Sequence, residues 1–415
     1  MKFAHIADCH LGGWSDPVLG EINITCFESA LQTCIEEKVD FVLISGDLFD
    51  TSRPTIEVME RTVSKIKEVR DSDIRVYVIE GSHDFSPTGK TMLRVLEKTG
   101  LFKGVSKGKE TDDGKLRLSF TIDEETGTKI TGLIGKMGVL ETKLYEVLDR
   151  ESLASEKGFK IFMFHTALTE LKPEFFEYAE GMPISLLPKG FDYYAGGHVH
   201  QHGEHKWRGY GPIVFSGPTM PANFRELEHL ETGGFYINTV GSEQIETEWK
   251  PLDLYDVEMI FIDASDKNPS SVVSEIENRI GPELKDKIVL LRIEGTLKSG
   301  KPTDIDLRRL SSMMKDQGAK TVKRNTNKLA SAEYHEIKVT AASRDDLEEK
   351  LIAEHAGQIK MKGYDKKKEI ALTKKLIKTL VDSKGPDEKK KDHQARMESN
   401  ILTVFGIREE WEEFN

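Results

Sequence analysis

The first 85 residues constrain the fold most, because strand-type and helix-type patterns alternate there and each strand-type run ends in a carboxylate or an imidazole. Lys2–Ala7 is a short β-type run, and Asn23–Lys38 spaces Ile24, Phe27, Leu31, Cys34 and Ile35 so that one helical face is apolar. Val39–Ile44 is the next strand, a helix opened by Pro54 carries Ile56, Met59, Val63 and Ile66, and Ile74–Ile79 is a third strand. Strands that alternate with helices pair in parallel through crossovers, which predicts an α/β layer fold. Further strands are expected at Lys129–Ile134, Lys160–Phe164, Tyr193–Ala195, Ile213–Phe215 and Phe235–Thr239. Their close spacing, without long helices between them, predicts antiparallel order in this second half.

A length of 415 residues suggests two or three domains. The texture changes after Pro251. Val257–Ile262, a helix near Ser270–Ile280, Lys287–Glu294, a helix near Ile305–Lys315, Thr321–Lys323 and Tyr334–Val339 read as a small β-α-β-α-β unit. The expected domains are therefore 1–250, 251–342 and 343–415, the last being helical, Lys/Glu-rich and poor in core residues. In that tail Leu376, Ile377, Leu380 and Val381 form one apolar stripe, and Ile401, Leu402 and Phe405 form another. Such stripes either fold back on their own domain or cover a partner protein.

Apolar runs such as Phe41–Ile44 and Ile288–Leu291 fall far below the ~20 residues of a membrane span, and the N-terminus carries no signal pattern. Three cysteines, Cys9, Cys26 and Cys34, suit a reducing compartment rather than a disulfide framework. A soluble, cytoplasmic protein is expected, with no membrane partner. The net charge of −12 by itself argues against nucleic acid. The segment from Lys285 to Lys328 nevertheless has 12 Lys+Arg against 5 Asp+Glu, a local excess of +7 that could neutralise phosphates.

The chemistry sits just after the strands. The first ends in Asp8-Cys9-His10, the second in Gly46-Asp47-Leu48-Phe49-Asp50 and the third in Gly81-Ser82-His83-Asp84; His165 and Gly196-Gly197-His198-Val199-His200 follow later. Ligands of open α/β sheets bind outside the carboxyl ends of the strands, so five segments deliver carboxylates and imidazoles to one edge. Hard carboxylates mixed with borderline imidazoles suit Mn²⁺, Fe²⁺ or Zn²⁺. Asp8 and His10, like His198 and His200, are two apart and can point the same way at a strand end. Asp47 lies between these pairs and is the natural bridge for two ions, which together would promote in-line displacement at a phosphoryl group. A single histidine beside a strand is usually structural; the ordered set of five motifs points instead to a metal centre.

These motifs resemble the calcineurin-like metallophosphoesterases, and within them the SbcD-type nucleases of DNA double-strand-break repair. The subfamily resemblance rests on Gly46-Asp47-Leu48-Phe49 with Arg53-Pro54, Glu80-Gly81 before His83-Asp84, Tyr194-Ala195-Gly196-Gly197-His198-Val199-His200, and Phe215-Ser216-Gly217 ahead of Phe235-Tyr236-Ile237. It is specific over 1–240, looser over 250–340 and weak over 340–415. The resemblance implies a two-sheet α/β/β/α sandwich with a small α/β cap that contacts DNA and a helical tail that grips a coiled-coil ABC ATPase of the SbcC type. It further implies two Mn²⁺ ions (with Mg, Fe or Zn as alternatives), the first held by Asp8, His10, Asp47 and His200, the second by Asp47, His165, His198 and whatever stands at 82. His83 would orient the phosphate or protonate the leaving oxygen, with Asp84 as its orienting partner. The implied activity is manganese-dependent cleavage of DNA, as a 3′-to-5′ exonuclease and a single-strand endonuclease, in a nucleoid-associated homodimer. The dimer contact would be sought at Phe85 and the helix Lys90–Lys98, whose apolar face of Met92, Leu93, Val95 and Leu96 could equally be core.

Two departures stand out. The family has Asn where this chain has Ser82, whose hydroxyl is a poorer metal donor, and many relatives have His where this chain has Asp50. DNA contacts are expected at Arg53, Asn223, Arg225, Arg308, Arg309, Lys323 and Arg324, and ATPase contacts at Leu376, Ile377, Leu380, Ile401, Leu402 and Phe405. His5 is read as packed, and His202 and His205 as surface or supporting residues. The competing functions are a small-substrate phosphodiesterase and a catalytically weakened DNA-binding adaptor of the same complex.

Overall fold

The computed structural model describes residues 1–86, 91–135, 139–173, 181–242, 244–332, 348–349, 351–353, 356, 365–382 and 390–405. Two compact units emerge, 1–330 and 331–415. The first unit begins β1 (Lys2–Ile6), α1 (Pro17–Glu36), β2 (Phe41–Ser45), α2 (Ile56–Asp71), β3 (Arg75–Ile79), α3 (Met92–Lys98) and β4 (Lys103–Gly104). It continues with β5 (Gly108–Glu110), β6 (Leu116–Leu118), β7 (Thr121–Ile122), β8 (Lys129–Gly132), α4 (Val139–Glu146), α5 (Arg150–Ser155) and β9 (Lys160–His165). Next come β10 (Tyr193–Gly197), β11 (Gly203–His205), β12 (Ile213–Phe215), α6 (Phe224–Leu230), β13 (Gly234–Val240) and β14 (Ile245–Pro251). The segment after Pro251, expected from the sequence to form the cap, comprises β15 (Asp256–Asp263), α7 (Pro269–Glu277), β16 (Lys287–Leu297), α8 (Leu307–Asp316), β17 (Thr321–Asn325) and β18 (Leu329–Ser331).

Local chemistry accounts for the helix ends. Asp16 caps α1 by accepting from the Val18 and Leu19 N–H groups, with Pro17 in the first turn where its missing donor costs nothing. Thr55 caps α2, so this helix begins at Ile56, two residues beyond the Pro54 suggested by the sequence. All five residues of β2 are buried, as a parallel strand covered on both faces requires.

Two six-stranded sheets face each other, in the orders β14-β13-β1-β2-β3-β4 and β11-β12-β10-β9-β8-β7. Between them lies a core of Phe3, Phe41, Leu43, Tyr77, Ile161, Met163, Tyr193 and Val214, in which Phe3 stacks on Phe41 at 5.2 Å. The first sheet's other face carries α1, α2 and α3, and the second is backed by Tyr145, Leu153, Ile184 and Leu187. The layers are α/β/β/α. The antiparallel order expected for the second half holds for β13, which runs antiparallel to β1 and β14, and is corrected for the other sheet, where β8, β9, β10 and β12 run parallel and the outer strands β7 and β11 reverse. The physical reason is that the 27 residues joining β8 to β9, like the 27 joining β9 to β10, are enough for a crossover connection.

The cap sheet pairs β15, β16 and β17 in parallel, with β18 also on β16. Ile262, Val272, Ile276, Leu291, Ile293, Leu310 and Met314 form its own core, whereas Ile288 and Leu290 face the main one. The Tyr334–Val339 strand expected from the sequence lies outside the described residues. In α3, Leu93 and Leu96 are buried while Val95 is exposed, so only part of the apolar set serves the core. The second unit contains α9 (Lys366–Leu380), capped by Asp365, and α10 (Lys390–Phe405), which pack against each other; Leu372 is buried.

Candidate metal centre

The loops that leave β1 and β2 are zipped together. Asp8 N–H donates to Gly46 O at 3.1 Å and His10 N–H to Asp47 O at 3.0 Å. Asp8, His10, Asp47 and His198 all take left-handed backbone angles, with φ of +52°, +43°, +50° and +79°. Such geometry costs of order 1–3 kcal/mol per non-glycine residue, and clusters at functional sites. Two glycines permit the close packing: a Cβ on Gly81 would lie 2.2 Å from Asp47 N, and one on Gly197 would lie 2.1 Å from Ser45 O.

Asp47 sits at the middle of the donors. Its Oδ2 is 3.0 Å from His165 Nε2, 3.3 Å from Ser82 Oγ and 3.7 Å from His10 Nε2, while Oδ1 accepts the His83 N–H at 2.8 Å. Asp8 Oδ1 lies 3.7 Å from His200 Nε2 and 3.9 Å from His165 Nε2. His10 Nε2 and His200 Nε2 face each other at 3.1 Å, an approach that a shared cation would relieve. Among the described residues three donor groups have their atoms within 4.8 Å of one another; beside His10–Asp50–His83, two share Asp8, namely Asp8–His10–His200 and Asp8–Asp47–His165. His198 joins none of these groups; its ring stands edge-on to that of His165, centroids 5.4 Å apart. Ser82 directs its hydroxyl to Asp47.

Each of three rings has an oxygen behind it. His165 Nδ1 donates to Ser45 O at 2.8 Å, His200 Nδ1 lies 2.9 Å from Glu226 Oε2, and His10 Nδ1 lies 3.3 Å from Asp50 Oδ1. Such acceptors fix Nδ1–H and turn Nε2 toward the centre, as metal-binding imidazoles require. Buried carboxylates interleaved with imidazoles aimed in this way fit a pair of hard to borderline dications.

The electrostatics reflect this crowding. Burial opposes charge on Asp47, but His165, His10 and the His83 N–H hold its carboxyl well below the usual range. His165 is likewise buried, yet Asp47 pushes it up to about 10; for His200, Glu226 and Asp8 outweigh burial and raise it to about 9. His198 is pushed down to about 3 by burial and by His165. Burial and the Asp47 charge raise Asp84 to about 7, against the backbone N–H groups of Phe49 and Gly81.

Asp84 requires a correction. Rather than orienting His83, its carboxylate accepts from the N–H groups of Leu48 (3.2 Å), Phe49 (3.0 Å) and Gly81 (3.1 Å), tying the β2 and β3 loops together. Burial beneath those loops directs it away from the imidazole. His83 Nδ1 instead donates to Asp50 O at 2.9 Å, and its ring is half exposed beside His10. Glu226 was missed by sequence reasoning, although Asn223-Phe224-Arg225-Glu226 carries the Asn-x-x-Glu signature of a helix start.

The expected DNA contacts are scattered. Arg53 and Arg225 are exposed beyond β2 and on α6, and Asn223 caps α6, its Oδ1 accepting from Glu226 N–H at 3.1 Å. Arg308 and Arg324 are exposed on the cap; Arg309 pairs with Glu277 at 2.6 Å, and Lys323 lies over the Trp14 ring at 5.4 Å. His5 is fully buried, its Nδ1 3.1 Å from the Tyr193 hydroxyl, and His202 stacks on Trp249 at 3.9 Å. In the tail Leu376, Ile377, Ile401 and Leu402 are half-buried, while Leu380 and Phe405 are exposed.

Residues 1–202 match the family model for calcineurin-like phosphoesterases. Among curated proteins the chain is 25% identical over 334 residues to the DNA double-strand break repair protein Mre11 of Archaeoglobus fulgidus, covering 75% of this chain and 71% of that one. It is 29% identical over 269 residues to the Methanopyrus kandleri protein of the same name (60% and 57%) and 27% identical over 293 residues to that of Methanococcus maripaludis (67% and 74%). Its fold and its buried set of carboxylates and imidazoles accord with both similarities, that of residues 1–202 to the calcineurin-like phosphoesterases and that of the longer span to the archaeal Mre11 proteins.

Proposed function

We propose that the chain is a divalent-metal-dependent DNA nuclease that processes double-strand breaks in the cytoplasm with a coiled-coil ATPase of the SbcC type, as a homodimer. The observation that carries this reading is the convergence on Asp47 of donors from both sheets. Asp8, His10, Asp47 and His200 would hold one ion; Asp47 and His165 would hold the other, with His198 and Ser82 at its margin. Two Mn²⁺ ions bound there would supply Lewis acidity and a nucleophile at neutral pH, the two needs of phosphodiester hydrolysis.

The chain's own residues would do the rest. With Nδ1 tied to Asp50 O and the side chain half exposed, His83 would use Nε2 to hold a phosphate oxygen or give a proton to the leaving oxygen. The Asp50 carboxylate faces His10 at 3.3 Å and His83 at 3.6 Å, so its charge is spent on two imidazoles rather than on the phosphate. The cap, with Arg308, Arg324 and Lys323, would neutralise the DNA backbone, giving an affinity that falls as salt rises.

The test is Mn²⁺-dependent degradation of end-labelled duplex and single-stranded DNA, assayed beside a small chromogenic diester. Degradation of both DNAs, including from 3′ ends, that falls to background in Asp47→Asn is expected. Cleavage of the diester alone would overturn the nuclease reading in favour of a small-substrate enzyme, and DNA binding without any cleavage would favour an adaptor.

A further inference from the structure

Helix α6 touches the metal centre on one side and the cap sheet on the other. Toward the centre, Glu226 Oε2 meets His200 Nδ1 at 2.9 Å, and the carboxylate is itself locked by the Ala222 N–H, which donates to Oε2 at 2.8 Å, and by Asn223 Nδ2, which donates to Oε1. Toward the sheet, Glu228 receives the Arg292 guanidinium of β16 through two parallel hydrogen bonds, the Nε one at 2.6 Å. The same guanidinium lies over the Phe224 ring at 5.2 Å and meets Glu294 at 2.8 Å. Glu226 is 7% exposed in its side chain, and Arg292 and Glu228 are 15% exposed each. A two-pronged, largely desolvated ion pair tolerates little displacement. Only one residue separates Glu226 from Glu228 on this short helix, so a shift of β16 is passed to the carboxylate behind His200.

We propose that α6 is a positioning strut through which the cap sheet sets the orientation of His200, with Arg292, Glu228 and Glu226 as positioning residues. The inference rests on the metal-centre reading above and adds to it a physical link from the cap, where DNA would press, to one ion.

The test measures Mn²⁺ affinity of the full chain by titration calorimetry, with manganese spin resonance reporting the ligand field. Glu226→Gln is expected to weaken one site by about 10- to 100-fold, the range for losing an outer partner of a metal-bound histidine. Arg292→Ala should weaken the same site by roughly 3- to 10-fold, and Arg292→Lys should recover part of that loss. Because Arg292 acts through Glu226, the double variant should bind no more weakly than Glu226→Gln alone. Lys287→Ala, which removes the Lys287–Glu258 pair of 2.6 Å elsewhere on β16, should leave affinity unchanged. Unaltered Mn²⁺ affinity in folded Arg292→Ala or Arg292→Lys, or full additivity in the double variant, would overturn the strut while leaving the metal centre standing. Absence of Mn²⁺ binding by the unaltered chain would overturn the metal-centre reading and the strut with it.

Discussion

At position 82 a hydroxyl stands where an amide carbonyl would make a better donor, and that hydroxyl is 3.3 Å from Asp47 Oδ2 rather than free for an ion. Ser82→Asn should therefore tighten the weaker Mn²⁺ site, read as a lower Kd by calorimetry; unchanged affinity and turnover would remove Ser82 from the account. A second residue governs acid stability. Burial pushes His5 down to about 3 in the folded chain, against an ordinary value of 6.5, so the folded state keeps it neutral while the unfolded state takes up a proton. Because the folded value is the depressed one, its contribution is intact above about pH 6.5 and is lost as pH falls toward 3. The loss should reach of order 4 kcal/mol. Chemical denaturation across that range should show it, and His5→Phe should flatten that limb of the curve while losing the bond to Tyr193.

At the scale of elements, the tail helices carry the clearest prediction. Leu380 and Phe405 are exposed on α9 and α10, and apolar side chains on short helices call for a covering surface. Removing the chain from Lys366 onward should abolish capture of a coiled-coil ATPase in a pull-down and spare DNA cleavage; lost cleavage with retained capture would reverse the assignment. The elements that bear the candidate ligands show in the sequence because each strand ends in a motif whose spacing fixes its direction: Asp8 and His10, Asp47, and His198 and His200 all lie at the carboxyl edge. The parallel order of β8, β9 and β10 was not legible, since short helices and irregular crossovers leave no periodic signal. Asp84 and Glu226 illustrate a further limit. A carboxylate's neighbour in sequence need not be its partner, and His200 finds its own 26 residues away, on a helix whose Asn-x-x-Glu start announces a cap but not a second use.

For the whole molecule, the two sheets meet through an apolar core along their length, but at the carboxyl edge the contact is polar. Asp8, His10 and Asp47 come from one sheet, and His165, His198 and His200 from the other. Dications held between them would join the halves of the sandwich where hydrophobic packing ends. Saturating Mn²⁺ at 100 times its Kd should add about 2.7 kcal/mol per site to unfolding. A chelator should lower the Tm of the unaltered chain but not that of Asp47→Asn, as scanning calorimetry can establish. The left-handed backbone at Asp8, His10, Asp47 and His198 sharpens the point, because four constrained residues in three loops at one rim would be held against relaxation by whatever binds their side chains. The ions would then serve as a clasp as well as a reagent, and a chain starved of metal would part first along the seam where it is meant to cut.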